Sequence, residues 1–125
     1  MKWRSVFWEE EGYLEFVVLE NPTCGELNKM ADERRIKLQQ LDCSKTLFDF
    51  TAITSMLNTF EVYRLPDEIE RMGIGKVSRT AFVVPMTFLR EFKLMESLAQ
   101  EQGYDFRVFQ NKEHALRYLI AGLLP

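Results

Sequence analysis

A hydroxyl-rich turn between residues 51 and 59 carries the side chains of this chain that are best placed to do chemistry. It follows a short apolar strand and leads into a predicted helix start, where free N–H groups and the helix dipole favour an anion. Ligand and partner sites of open α/β sheets lie beyond the carboxyl ends of strands, at junctions of this kind. We therefore predict a binding surface for a protein partner or a small ligand on the polar residues of this segment: Asp49, Thr51, Thr54, Ser55, Asn58 and Thr59.

Asp49 stands at the end of a strand, as the phosphoacceptor aspartate does in receiver domains of similar length. A receiver also needs an acidic pair after its first strand and a lysine after its last. Glu20-Asn21 and Gln110-Asn111 occupy the corresponding places here, so both requirements fail. We expect Asp49 to accept hydrogen bonds from the N–H groups of the turn that follows it.

A catalytic constellation is not visible in the sequence. His114 is the single histidine, and catalytic triads and metal sites need further partners at defined spacing. We interpret it as a surface residue. Were the protein an enzyme, its candidates would be Asp49, Thr51 and His114, and this is the weakest of three hypotheses. We predict a non-enzymatic protein with no cofactor and no metal site.

Composition predicts one soluble domain over residues 1–125. Hydrophobic residues make up 46% and charged residues 28%, and the net charge is −3, which is ordinary for a globular domain. The densest basic cluster, Arg34-Arg35 with Lys37, lies in a mixed-charge run that predicts a solvated helix face. The distribution of charge therefore gives no indication of a surface that binds nucleic acid.

The N-terminus has no apolar core of a signal peptide, and no apolar run reaches the length of a membrane span. Cys24 and Cys43 bracket the first predicted helix, which would hold them roughly 25–30 Å apart and excludes a bridge between them. We expect a cytoplasmic protein without membrane insertion.

The N-terminal half predicts a hairpin, a helix and a strand. Residues 2–8 and 13–19 are rich in β-formers and flank a turn at Gly12. Thr23 and Glu26 form a capping box ahead of apolar residues at helical spacing, and residues 46–50 form the third strand.

A second capping pair, Asn58 with Glu61, opens a helix that Pro66 kinks and Gly73 ends. Residues 80–84 form the fourth strand and residues 105–110 the fifth. A helix between these strands buries Phe88, Phe92, Met95 and Ala99. Asn111 caps the last helix, which is predicted to bury Ala115, Leu116, Leu119 and Ile120.

The element order is therefore β-β-α-β-α-β-α-β-α. Strands that alternate with helices indicate an α/β fold with a mostly parallel five-stranded sheet, an antiparallel N-terminal edge strand and four helices.

This order, with its hydroxyl-rich turn after the third strand, resembles the STAS family, the sulfate-transporter and anti-sigma-factor-antagonist domains. The family motif reads hydrophobic-Asp-hydrophobic-Ser-x-hydrophobic, then hydrophobic-Asp-Ser-Ser-Gly, and residues 48–53 match its first half. Leu57 replaces the second Asp, Asn58 and Thr59 replace the serine pair, and Phe60 replaces Gly. Residues 108–119 are also similar to the tails of STAS-like and lipid-binding (CRAL-TRIO-like) relatives.

The resemblance implies a regulatory or protein-interaction module. In the antagonists, phosphorylation of one serine of the pair switches partner choice. Asn58 cannot accept phosphate, so the resemblance leaves Thr59 as the candidate phosphoacceptor, while both residues are also good helix caps. Ser55 lies earlier in the loop, outside the field of the helix N-terminus.

Met86, Thr87 and Phe88, which follow the fourth strand, extend the predicted binding surface. Met86, Phe88, Leu89 and Phe92 could line an apolar pocket beside the turn, although their helical spacing favours ordinary core packing. Such a pocket would suit a lipid-like or anionic small ligand, which is the alternative to an unidentified protein partner. A homodimer is left open.

Overall fold

The computed structural model describes residues 2–55 and 78–124. Its strands are β1 (Trp3–Trp8), β2 (Tyr13–Val18), β3 (Lys45–Asp49), β4 (Arg79–Val83) and β5 (Asp105–Phe109). Its helices are α1 (Cys24–Gln40), α2 (Leu89–Glu101) and α3 (Lys112–Ala121), with a short 3-10 turn (Met86–Phe88) ahead of α2.

The five strands form one sheet in the order β1-β2-β3-β4-β5. β1 pairs antiparallel with β2, and all other neighbours pair parallel. The prediction of an α/β fold with an antiparallel edge strand is confirmed. The described residues contain three α-helices, and the helix predicted from Asn58 to Gly73 lies outside them. None of the helices in these parts of the chain combines the length and apolar character that crossing a membrane requires.

Local sequence signals set several boundaries of these elements. Thr23 Oγ1 accepts from the Glu26 N–H at 3.2 Å, and Glu26 returns a carboxylate oxygen to the Thr23 N–H at 2.9 Å, so the predicted capping box is confirmed. Asn111 caps α3 by accepting from the His114 N–H. Gly12 has a φ of 75° in the hairpin turn, a conformation that other residues adopt only with strain.

One face of the sheet carries a row of aromatic rings across the strands. Phe16, Phe48 and Phe82 are register neighbours, and their ring centroids lie 5.2 Å and 4.8 Å apart. α1 and α2 cover this face, so that Met30 and Phe92 belong to the same buried cluster. Because aromatic pairs add to area burial, this row favours one register of the three central strands.

The opposite face is covered by α3, which packs on β3, β4 and β5. Ala115 and Leu119 are buried as predicted, and Leu116 is partly buried. The prediction for Ile120 is wrong, because its side chain is 40% exposed. Tyr118 takes the buried position instead, with its ring 5.6 Å from that of Phe109.

Arg34 corrects the prediction of a solvated basic face on α1. Its side chain is only 2% exposed, with Nε donating to Thr46 Oγ1 at 2.9 Å and an Nη donating to Thr80 Oγ1 at 2.8 Å. Burial lowers the pKa of this guanidinium from 12.5 to about 10, so the group is still charged at neutral pH. None of the described residues pairs a carboxylate with it. Two strand hydroxyls accept hydrogen bonds from the buried cation instead.

We expect Thr46→Val to lower the free energy of unfolding by about 2 kcal/mol, because it leaves a charged donor unpaired in the core. The same change should cost much less, or nothing, when Arg34 is already Met, since no donor is then left unpaired. Urea unfolding of the four proteins of this double-mutant cycle measures the difference. An equal cost in both backgrounds would show that the hydrogen bond is not what Thr46 contributes.

Candidate functional site

Three loops meet at one edge of the sheet because β2, β3 and β4 run parallel and end there. We define the carboxyl-edge surface as the residues that these loops expose or hold in place: Leu19 and Asn21 after β2, residues 51–55 after β3, and Met86 and Thr87 after β4. Strand ends are level, since Asp49 pairs with Val83 and the Phe50 N–H donates to Val83 O at 2.8 Å.

The loop after β3 is closed on itself by Asp49. Its Oδ1 accepts from the Thr51 N–H at 3.0 Å and from Thr51 Oγ1 at 2.6 Å, as the sequence predicted for this carboxylate. Ile53 turns inward, being 6% exposed, and its N–H donates to Phe50 O at 3.1 Å. Thr51, Thr54 and Ser55 stay exposed around this apolar anchor.

Asn21 ties the far end of the loop to the segment after β2. Its Oδ1 accepts from the N–H groups of Thr54 at 2.7 Å and of Ser55 at 3.2 Å. Its Nδ2 donates to Thr54 Oγ1 at 2.9 Å. One side chain therefore bonds to three polar groups of the loop.

The second carboxylate oxygen of Asp49 faces an ion pair between the buried Glu15 and the half-exposed Lys112. Lys112, at the start of α3, lies 3.7 Å from Asp49 Oδ2 and also pairs with Glu15. Glu15 is 3% exposed and accepts from Trp8 Nε1 at 2.9 Å. Burial, with the charges of Glu15 and Glu11, raises the pKa of Tyr13 to about 12, so its hydroxyl stays protonated at neutral pH. This group of residues ties α3 to the sheet.

Met86 is the most exposed large apolar side chain of the described residues, at 77%. It lies in the 3-10 turn after β4, and Thr87 beside it is exposed as well. Phe88 instead packs partly buried against the core, and Phe92 is fully buried with its ring 5.7 Å from that of Phe50. Of the predicted apolar residues Met86, Phe88 and Phe92, Met86 is therefore the one that exposes most of its side chain at this edge.

The remaining predicted residues do not join this surface in the described parts of the chain. Asn58 and Thr59 lie outside the described residues. His114 is partly buried and lines a separate groove, and no described contact links it to Asp49 or Thr51. Within residues 2–55 and 78–124, no group of three or more His, Cys, Asp or Glu side chains is placed to hold a metal ion.

That groove has a volume of about 610 Å³ and lies beside β5, between α2 and α3. Leu89, Val108, Phe109 and Leu124 form its apolar lining, and Lys93, Glu96, Arg107 and His114 its charged one. Lys93 and Glu96 pair with each other at 3.3 Å. Arg107 has no described carboxylate partner, its Nε makes no hydrogen bond, and its Cζ lies 5.9 Å from the centre of the Tyr118 ring.

Comparisons with protein-family models, with curated proteins and with solved structures return no match. The resemblance to the STAS family therefore stays a prediction, and the geometry of the carboxyl-edge surface and the groove is what bears on function.

Two residues of the site escaped the sequence analysis, Asn21 and Lys112. The sequence analysis gave Asn21 no role in this site, and its partners are more than thirty positions away. An Asn-Pro pair directly after a strand that ends at the same edge as the turn was the available signal. Lys112 is the first residue of α3, and nothing in the sequence indicated that β2 and β3 would offer it carboxylates.

We expect Asn21→Ala to speed amide hydrogen exchange at Thr54 and Ser55 by roughly tenfold, because each N–H loses its acceptor. Asn21→Asp keeps the acceptor oxygens and should preserve most of the protection. Asn111→Ala is the matched control, since it removes an equivalent cap at His114 without touching this loop. Unchanged exchange at Thr54 and Ser55 in Asn21→Ala would mean that Asn21 does not hold the loop.

Proposed function

We propose that this protein is a non-enzymatic regulatory or protein-interaction module of STAS-like fold that binds a protein partner through the carboxyl-edge surface. The observation that carries the proposal is the loop of residues 51–55, which is exposed yet fixed by Asn21 and Asp49. A loop that is already ordered loses little conformational entropy on binding, and preorganisation of this kind favours recognition.

The chemistry of the surface suits a protein partner. Thr51, Thr54 and Ser55 present hydroxyl groups that can both donate and accept hydrogen bonds. Met86 and Leu19 add exposed apolar area at either side, at 77% and 45% exposure. Methionine adapts its shape to a partner's surface, and protein interfaces combine apolar contacts with polar groups.

The fold supports the STAS-like part of the proposal. The parallel pairing of β2 to β5 and the antiparallel edge strand β1 agree with the fold class predicted from the sequence, and the loop that matches the first half of the family motif lies at an exposed edge. Asn58 and Thr59 continue the chain from this loop. We propose that they extend the surface and that Thr59 is the acceptor if a kinase acts there, since an added phosphate would favour a helix start.

The absence of catalysis is also part of the proposal. Asp49 is engaged with Thr51 and Lys112, and Tyr13 stays protonated at neutral pH. Neither group is therefore poised as a general base. His114 makes no described contact with Asp49 or Thr51, so these three candidate catalytic groups do not form a relay in the described residues.

We expect Met86→Lys and Thr54→Lys each to abolish capture of the physiological partner by the immobilised protein. Both side chains are exposed, so the charge should change the melting temperature little. Leu94→Lys is the control, because Leu94 is 45% exposed on α2 and lies outside the surface. The proposal is wrong if the same partners are recovered with all three variants, or if the control loses them as well.

The groove beside β5 favours a second function, binding of a small anion that carries an apolar part. Its volume falls within the ~300–1,000 Å³ range of ligand sites, Arg107 supplies a cation without a described acid partner, and one wall is apolar. The groove lies at the carboxyl end of β5, two strands away from the loop after β3, rather than at the predicted position beside Phe88.

Hexanoate should perturb the amide resonances of residues 107–111 in a titration followed by NMR, and Arg107→Gln should weaken its binding roughly tenfold. Arg117→Gln is the control, since Arg117 pairs with Glu113 at 2.6 Å and does not line the groove. Inorganic phosphate, tested alone, separates an anion site from one that needs the apolar part. No perturbation by either probe would refute this second function.

A further inference from the structure

β1 is an edge strand whose outward backbone groups have no partner among the described residues. The Leu19 N–H donates to Lys2 O at 2.7 Å, which places Lys2 in a hydrogen-bonded pair with β2. Bonded and non-bonded pairs alternate along an antiparallel ladder, so the even-numbered residues of β1 bond to β2. The N–H and C=O groups of Trp3, Ser5 and Phe7 therefore point away from the sheet.

β5 is the edge strand at the other side of the sheet, and side chains of α2 bond to its outward backbone groups. The Val108 N–H donates to Glu96, and Val108 O accepts from Lys93 Nζ at 3.1 Å. Gln100 Nε2 donates to Phe106 O at 2.9 Å. Three outward backbone groups of β5 are thus satisfied within the chain, and protection of this kind makes an edge resist intermolecular pairing. β1 lacks such protection in the described residues.

The side chains of β1 make this edge suited to a second strand. Trp3 and Ser5 contact α1, through Glu33 and Lys37 respectively. The even-numbered side chains lie on the opposite face of the sheet, where α3 packs mainly on β3, β4 and β5. Val6 and Trp8 are 38% and 43% exposed there. An open, apolar edge of this kind is a template for pairing.

We propose that the protein forms a homodimer in which β1 of a second copy pairs antiparallel with β1, about a two-fold axis at Ser5. This register lets Trp3 face Phe7 and Ser5 face itself, so every outward N–H and C=O of these three residues finds a partner. An isologous contact of this type closes after two copies.

Charge and size fit the same register. Arg4 faces Val6 of the second copy, and Lys2, whose charge is paired with Glu26 at 3.1 Å, faces Trp8. No like charges stand directly opposite each other. Lys37, which donates to Ser5 near the axis, is neutralised by Glu33 at 3.2 Å. The apolar area of Val6 and Trp8 is buried by the stems of the facing cations.

The dimer has a consequence for the carboxyl-edge surface. The two β1 strands run in opposite directions in this dimer. The parallel strands β2 to β5 of one copy therefore point in the opposite direction to those of the other copy. The two carboxyl-edge surfaces then lie at opposite edges of one continuous sheet with five strands from each copy. The inferred dimer is therefore bivalent, with each surface free to bind its own partner.

Sedimentation equilibrium at micromolar concentrations should give twice the chain mass for the wild type. Val6→Lys should raise the dimer dissociation constant roughly tenfold or more, since each new lysine faces Arg4 of the other copy. Within one chain the new lysine lies opposite Glu15, so the fold should not suffer. Leu94→Lys should leave the dimer intact. A monomeric wild type, or equal association of both variants, would overturn the proposal.

Disulfide trapping tests the register. Arg4→Cys combined with Val6→Cys places two thiols opposite each other at a non-hydrogen-bonded pair, where Cα atoms lie about 4.5 Å apart. Mild oxidation should give a covalent dimer linked through residues 4 and 6. Arg4→Cys combined with Trp8→Cys should not cross-link, and preferential cross-linking of that pair would refute the axis at Ser5. Partner capture with Val6→Lys should be unaffected, which separates this proposal from the function of the carboxyl-edge surface.

Discussion

The buried guanidinium of Arg34 is the constraint on which the arrangement of the layers depends. A cation inside an apolar core costs several kcal/mol unless its donors are met. Here they are met by the hydroxyls of Thr46 and Thr80, on two neighbouring strands. α1 can dock on the sheet only where both hydroxyls reach Arg34, and β3 and β4 must hold the register that brings the two threonines side by side. The interaction specifies position more than it adds stability.

The register of β3 and β4 also determines the geometry of the carboxyl-edge surface. When β3 and β4 are level, Asp49 stands beside Val83, and the loops that leave the two strands emerge together at one edge. The row of Phe16, Phe48 and Phe82 fixes β2 in the same way. Asn21, three residues past β2, then reaches the N–H groups of Thr54 and Ser55. A shift of one residue in any of these strands would turn side chains to the other face and separate Asn21 from the loop.

Local signals in the sequence predicted most of the elements. Alternation and capping residues located the strands and helices of the described regions to within a residue or two, and they indicated that Asp49 would be used by its own turn. The contacts that depend on the assembled sheet could not be predicted. Arg34 lies in a mixed-charge run that is typical of a solvated helix. The free-energy cost of burying it is offset by hydrogen bonds to two threonines that are distant in the sequence. Tyr118 replaced Ile120 in the core because a face of α3 must meet both the ring of Phe109 and the guanidinium of Arg79.

The central claim is that residues 51–55 form a preorganised recognition loop at the carboxyl edge of the sheet. Backbone ¹⁵N relaxation of the free wild-type protein tests it most directly. If the loop is preorganised, the order parameters of Thr51, Thr54 and Ser55 are close to those of β3, around 0.85. Values below about 0.6 for these amides, with rigid strands on either side, would contradict it, because the loop would then be ordered only by whatever binds it.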